Sequence, residues 1–244
     1  MRRHLTFACE GETLVGTLDE ADGAAGLLIV SGGAEIRGGA HRGMALLAAR
    51  LATRGHPVFR FDRRGVGDSG GEDRGWSRSA PEIRSAVACF RAEAPRLKRL
   101  VALGNCDAAA ALASFAGNVG IDALILANPW LGVEGPQPAA VRARYAARLR
   151  DPRSWLRPPH PFKLVRGLRA LLTRPSQKAL ADIYAAPALP TTVILADRDA
   201  TALQYRATMR GAFVDIPTAS HSFADAADEL ENAIVDVLER YSAA

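Results

Sequence analysis

The sequence predicts a doubly wound α/β fold, and three observations carry that prediction. Short, mostly apolar runs recur along the chain (GLLIVS, PVFRF, RLVALG, ALILA, TTVILA), and the unbroken one from Gly26 has the pattern of a strand buried on both faces in a parallel sheet. Segments of helical periodicity separate most of them. Gly, Asp or Ser follows each of several runs, so the connections are short, as strand–helix–strand units require.

In order, residues 5–8 and 13–18 alternate and read as an opening hairpin around Glu10-Gly11-Glu12. GLLIVSGG is a strand ended by Gly32 and Gly33. HRGMALLAARLATRG is a helix with Met44, Leu47 and Leu51 on one face, closed by Gly55. PVFRFD is a strand, PEIRSAVACFRAEA a helix with Pro81 near its start, RLVALGN a strand and DAAAALASFA a helix. ALILANP, TTVILAD and a short AFVDIP complete the strands. The final segment is an amphipathic helix with Leu230, Ile234 and Leu238 four apart.

Residues 130–187 break the alternation. They show no clear strand, many Arg and Pro residues, and two predicted helices, AAVRARYAARLRD and FKLVRGLRALLTR. The core is therefore assigned to 1–129 and 188–244, and 130–187 to an inserted helical cap. Ligands of such folds bind outside the carboxyl ends of the strands, where an insertion serves as a lid.

At 244 residues the chain can bury a full core without staples. A hydrophobic content of 48% and a mean hydropathy of −0.01 fit an ordinary globular protein. No apolar run is long enough to span a bilayer, and MRRHLTFACEGETL lacks the apolar core of a signal peptide, so a cytoplasmic setting is expected. Three cysteines, Cys9, Cys89 and Cys106, form neither a metal-ligand spacing nor an even disulfide set. No metal, cofactor or nucleic-acid partner is expected. The net charge of +5 is uneven: residues 130–187 hold eleven Lys or Arg against Glu134, Asp151 and Asp182, a net of +8, which leaves −3 elsewhere. That segment has two readings, a solvated helical face or a surface that attracts an anionic substrate or membrane headgroups.

The strongest chemical signal is ALGNCDAAAA between a strand and a helix. Gly104-x-Cys106-x-Ala108 reads as a nucleophile elbow with cysteine in place of serine. The turn is tight enough to demand small flanking residues, and the helix N-terminus beyond it favours a thiolate. His221, in the loop between the last strand and the last helix, can reach over the elbow as base. His4 and His56 read as structural, His160 as an exposed cap residue, and His41 as a lesser candidate that lines the pocket. Asp197 and Asp199 both follow a strand and can orient His221. An acyl oxyanion needs two donors: the N–H of Asp107, and one from the glycine loop at Gly33 or Ala34. Asn105 and Trp130 are further candidates for substrate contact. FDRRGVGDSGG reads as a structural turn, and Ser69 is rejected as nucleophile because no helix follows it.

Taken together, the D-x-R-G-x-G-x-S segment from Asp62 to Ser69, the elbow, the Asp199 loop and the His221 loop resemble the α/β-hydrolase superfamily in order and spacing. The resemblance implies an α/β-hydrolase fold, a doubly wound and mostly parallel sheet with a helical cap. It favours Asp199, three positions after the small Ala196, as the acid, with Asp197 as a turn or helix-capping residue. More narrowly, GGAEIRGGAHR, FDRRGVGDSGG, GNCDAA and LANPW look like the exosortase A system-associated hydrolases of type 1, bacterial proteins of exopolysaccharide and protein-sorting loci. The chemistry is similar to that of dienelactone hydrolases, which also use cysteine in this fold. What this implies is a Cys106–His221–Asp199 triad acting on an ester or thioester. Transfer of the acyl group to a saccharide or other alcohol, and a non-catalytic scaffold, are the rival expectations.

Overall fold

A computed structural model describes residues 1–132 and 177–242. The two helices expected in the insertion, His160, and any cover the insertion gives to Cys106 lie outside the described residues. The chain divides into two compact units, Met1–Leu131 with Ala181–Ala244, and Gly132–Leu180. The first contains the whole sheet; it resumes at Ala181, a little before the 188 expected from the sequence.

The hairpin pairs β1 (Arg2–Cys9) with β2 (Glu12–Asp19) in register from Arg2↔Asp19 to Cys9↔Glu12. Its two-residue turn, Glu10-Gly11, has positive φ at both positions, the hand that matches strand twist. β2 joins β4 (Val58–Phe61) antiparallel, and β3 (Ala25–Val30), β5 (Arg99–Asn105), β6 (Ala123–Ala127), β7 (Thr191–Ala196) and β8 (Val214–Ile216) continue in parallel. The eight strands run in the order β1-β2-β4-β3-β5-β6-β7-β8. This is the α/β-hydrolase fold. Every residue of β3, β4 and β6 is buried, which is why these runs do not alternate.

Helices cover both faces. On one, Leu47 and Leu51 of α1 (Gly43–Thr53) and Leu230, Ile234 and Leu238 of α6 (Ala227–Ser242) pack with Leu27, Ile29, Val101 and Ile125 of the sheet. Burial of each such side chain contributes on the order of 1.5–3 kcal/mol. On the other lie α2 (Ala80–Glu93) and α3 (Asp107–Phe115); Phe90 of α2 stacks on Phe59 of β4 with ring centroids 5.6 Å apart. α4 (Gln177–Ala185) precedes β7. A further helix, α5 (Ala200–Thr208), stands where the sequence reading placed none. Only Ala202 and Tyr205 of it are buried, so its apolar stripe is too narrow to mark a helix by periodicity.

The turn segment after β4 acts as a clamp. Buried Asp62 accepts from the N–H of Arg37 at 2.6 Å and of Asp68 at 3.1 Å, and pairs with the Arg37 guanidinium. Gly67 passes so close that a Cβ there would meet the Asp62 carboxylate at 2.3 Å. Ser69 donates to the Asp62 carbonyl and accepts from the N–H of Val15, the structural duty expected of it. Through Arg37 this clamp fixes the loop after β3. Among the described residues no helix is long and apolar enough to cross a membrane.

Candidate active site

Strand β5 ends at Asn105 and α3 begins at Asp107, so Cys106 alone makes the turn. It adopts φ 59° and ψ −121°, a conformation that costs a non-glycine residue about 1–3 kcal/mol. Hydrogen bonds hold it there: its N–H donates to the Ala127 carbonyl at 3.0 Å, and its carbonyl accepts from Ala109 at 3.2 Å and Trp130 at 3.3 Å. The small flanking residues are explained by contact. A Cβ on Gly104 would lie 2.7 Å from the carbonyl carbon and oxygen of Ala108, which is itself buried. Gly104→Ala is expected to destabilise the fold by roughly 1–3 kcal/mol through overpacking against backbone. A urea melt with an unchanged midpoint would contradict that contact.

His221 lies in the loop between β8 and α6. The loop is tied by Thr218, whose hydroxyl accepts from the N–H of Ser220 at 2.9 Å and bonds the Asp225 carboxylate, and by Ser220, whose hydroxyl accepts from the N–H of Ala224 at 3.0 Å. The imidazole Nδ1 meets Asp199 Oδ1 at 3.1 Å, and Cys106 acts on the same ring. Asp199 and then Cys106 push its pKa up to about 10 against the opposing effect of burial. For Asp199, burial favours the neutral carboxyl. The hydrogen bonds from His221 and from the N–H groups of Ala202 and Thr201 outweigh it and hold the group below the usual carboxylate range.

Asp199 is also the N-cap of α5, its Oδ1 accepting from the N–H of Thr201 and of Ala202 at 3.0 Å each. That corrects the expectation of a division of labour between the neighbours. Asp199 both caps and meets the histidine, whereas Asp197 carries neither bond and pairs with the adjacent Arg198 at 3.3 Å. The cap holds the carboxylate that the imidazole meets.

Other candidates land elsewhere. Asn105 is expected to contact substrate, but its amide donates to the carbonyl of His221 at 3.1 Å. Asn128, which the sequence reading passed over, donates to the same carbonyl at 3.0 Å and accepts from the N–H of Ala196 at 2.9 Å. Two amides therefore grip the histidine's backbone. The sequence offers only a polar residue at the end of an apolar run; the complete burial of Asn128 and its φ of 40° belong to the fold. His41 is exposed at φ 52° and borders a surface groove with Leu46, Arg50 and Ala227, while Asn105 lines an adjoining cavity with Ser31 and Leu103 that shares Met44 and Ser222 with the groove. Trp130 is half-buried; its ring packs edge-on against Trp76 at 6.1 Å and its carbonyl accepts from the Tyr184 hydroxyl at 3.0 Å. Ala34 is exposed on the loop after β3, and Gly33 beside it has both backbone groups engaged. Its carbonyl accepts from buried Arg63, and its N–H donates to Asp107 Oδ1 at 2.7 Å.

Asn128→Leu is expected to lower kcat by about 10²-fold, because a shift of roughly 1 Å in a catalytic group has that effect. KM should change little. A variant that folds and turns over at the wild-type rate would show the grip to be dispensable.

The family model described as "Alpha/beta hydrolase family" matches residues 27–233. The chain belongs to the alpha/beta hydrolase family. Solved structures with this hydrolase fold are similar over nearly their full length. An esterase, Pf2001 of Pyrococcus furiosus, is 17% identical, with 98% of this chain and 90% of that one covered and a TM-score of 0.69. The alpha/beta hydrolase GrgF from Penicillium sp. sh18 is 18% identical, with both chains covered completely and a TM-score of 0.66. The thioesterase domain from the curacin biosynthetic pathway is 17% identical, with coverages of 96% and 99% and a TM-score of 0.61. No curated protein matches the chain significantly.

Proposed function

We propose that this alpha/beta hydrolase is a cysteine-dependent acyl hydrolase acting on an ester or thioester, with Cys106 as nucleophile, His221 as acid and base, and Asp199 as the residue that orients and charges His221. The observation that carries the reading is the chain of contacts from the strained cysteine to an imidazole whose pKa is pushed up to about 10 and on to a capped carboxylate. An imidazolium is the partner that a thiolate needs. The thiolate attacks the acyl carbon, and the tetrahedral intermediate collapses as His221 gives its proton to the leaving alkoxide or thiolate. That leaves an acyl-thioester on Cys106 and a neutral imidazole. His221 then takes a proton from water, the hydroxide adds to the thioester, and collapse returns the Cys106 thiolate, the imidazolium and a free acid.

The N–H of Asp107 and one from the loop at Gly33 or Ala34 are assigned to the oxyanion. The strand order and the esterase and thioesterase neighbours support hydrolysis at the carboxyl ends of the strands. The motif likeness to the exosortase A system-associated hydrolases supports a bacterial cytoplasmic setting and keeps acyl transfer to a saccharide hydroxyl within the same chemistry, since an alcohol can replace water in the second step. An intact set of three contacting side chains disfavours a scaffold.

The test is to incubate the protein with a panel of p-nitrophenyl esters and acyl-CoA thioesters, quench it in acid, and map peptides. An acyl mass on the Cys106 peptide is expected. Turnover with the acyl group found on another residue would refute the assignment.

A further inference from the structure

Asp107 directly follows the nucleophile, and its backbone N–H is the donor that an acyl oxyanion meets on the elbow. Its side chain turns back onto the same ground. Oδ1 accepts from the N–H of Gly33 at 2.7 Å, and the N–H groups of Ala108 and of Asp107 itself favour the ionised carboxylate. The Gly33 N–H, one of those assigned to an oxyanion, thus already holds a carboxylate oxygen, which resembles one in charge and size. The seat is tight: a Cβ on Gly32 would stand 2.5 Å from Oδ1, so only glycine lets the carboxylate in. Arg63 fastens the next peptide unit by donating to the Gly33 carbonyl. Arg63 as a whole is 5% exposed, and its Nε has no hydrogen-bond partner among the described residues.

We propose that the Asp107 side chain is a carboxylate gate on the oxyanion hole: ionised, it occupies the Gly33 amide and opposes the negative charge that builds on the substrate carbonyl; neutral, it yields the amide to that oxygen. The inference rests on the acyl-transfer reading above and deepens it. Two like charges on one set of donors cannot both be stabilised, so the ionised gate slows the chemical step rather than substrate entry.

The surroundings set the direction of the pH response. Burial pushes the Asp107 carboxyl up, and the Gly33 N–H, the Arg63 charge and the Ala108 N–H pull it back without cancelling the rise. The groups that face it are Arg63 from the loop after β4, Tyr184 from α4, and Cys106 beside it with His221 beyond. Tyr184 is itself driven far up by burial and stays neutral. Asp199 lies below the ordinary carboxylate range. Acidification from neutral pH therefore neutralises Asp107 first, while the His221–Asp199 pair is still intact.

Two measurements on the full-length protein test the gate. The first is the pH titration of the Gly33 amide proton by NMR, which needs no turnover. The wild-type resonance should move with an acid titration that is absent in Asp107→Asn. The second is the pH profile of kcat/KM. Wild-type activity should rise as pH falls from 8 and drop only when Asp199 protonates. In both Asp107→Asn and Asp107→Ala the value at pH 8 should increase about tenfold, a fraction of the ~10²–10³ associated with a whole oxyanion donor, and the acid-side rise should vanish. A Gly33 amide without that titration overturns the gate whatever the turnover. So does loss of activity in both variants with the wild-type profile retained, which would make Asp107 a mere pin for the loop. No turnover of any acyl substrate alongside a titrating Gly33 amide would count against the acyl-transfer reading, while the carboxylate's hold on the amide would stand.

Discussion

Asp199→Asn is expected to reduce turnover by about 10⁴-fold, the scale seen when the acid of a serine-protease triad is made an amide, whereas Asp197→Asn should stay near the wild type. The asymmetry follows from position. Asp199 meets His221 Nδ1 at 3.1 Å and is held in place by two N–H groups at the start of α5, while Asp197 pairs instead with Arg198. An asparagine can still cap the helix, so the loss should be one of activity more than of fold.

The same variant removes the first cause of the raised His221 pKa. The imidazole resonance should titrate near pH 10 in the wild type and at a clearly lower pH in Asp199→Asn, and the basic limb of kcat/KM should move down with it. The stability that His221 contributes is fully present below its unfolded pKa of ~6.5 and is lost as pH rises through about 10. That of Asp199 is present above the unfolded value and is lost as pH falls through its depressed one. The pair therefore supports the fold over the whole neutral range. Similar rates in the two aspartate variants would undo the choice between them.

Cys106→Ala is expected to have the larger effect. Removing the nucleophile of a triad enzyme costs on the order of 10⁶ in kcat, because the remaining members have nothing left to activate. Binding should survive, since the fold around position 106 is held by backbone hydrogen bonds that alanine also makes. The His221 pKa should fall as well, by less than in Asp199→Asn, because Cys106 is the smaller of the two raising contacts. A Cys106→Ala protein with turnover within tenfold of the wild type would place the chemistry elsewhere.

The sheet was legible because its strands are buried on both faces: an all-apolar run such as residues 25–30 or 123–127 has few other fates in a chain of this length. The elbow was legible for a different reason. Gly104 and Ala108 touch through backbone atoms, and that steric demand leaves its mark in adjacent residue types. The hidden parts depend on partners distant in sequence. Nothing near Asp199 announces that it caps α5 and reaches His221 at once, because α5 buries too few side chains to show its period. Asn105, the last residue of β5, and Asn128, just past the end of β6, converge on the His221 carbonyl, and neither spacing reports that. Likewise the Asp107 side chain finds the Gly33 amide 74 residues away. Arg64 also reaches Cys9 across the fold, where the sequence shows no basic neighbour; its charge favours the thiolate, but burial is larger and the Cys9 thiol is still raised.

The account's central claim is that Cys106 is the nucleophile, and brief alkylation of the native protein tests it most directly. Cys9 is 2% exposed and burial raises its thiol; burial pushes Cys89 up to about 11, so roughly one molecule in 10⁴ is thiolate there at pH 7. Cys106, half-buried like Cys89, differs in acting on the His221 imidazole, whose pKa it helps to push up. Iodoacetamide at pH 7 followed by peptide mapping should place the first equivalent on Cys106, with esterase activity lost in parallel and labelling slowed in His221→Ala. First labelling at Cys9 or Cys89, or full activity after Cys106 has been carboxamidomethylated, would contradict it.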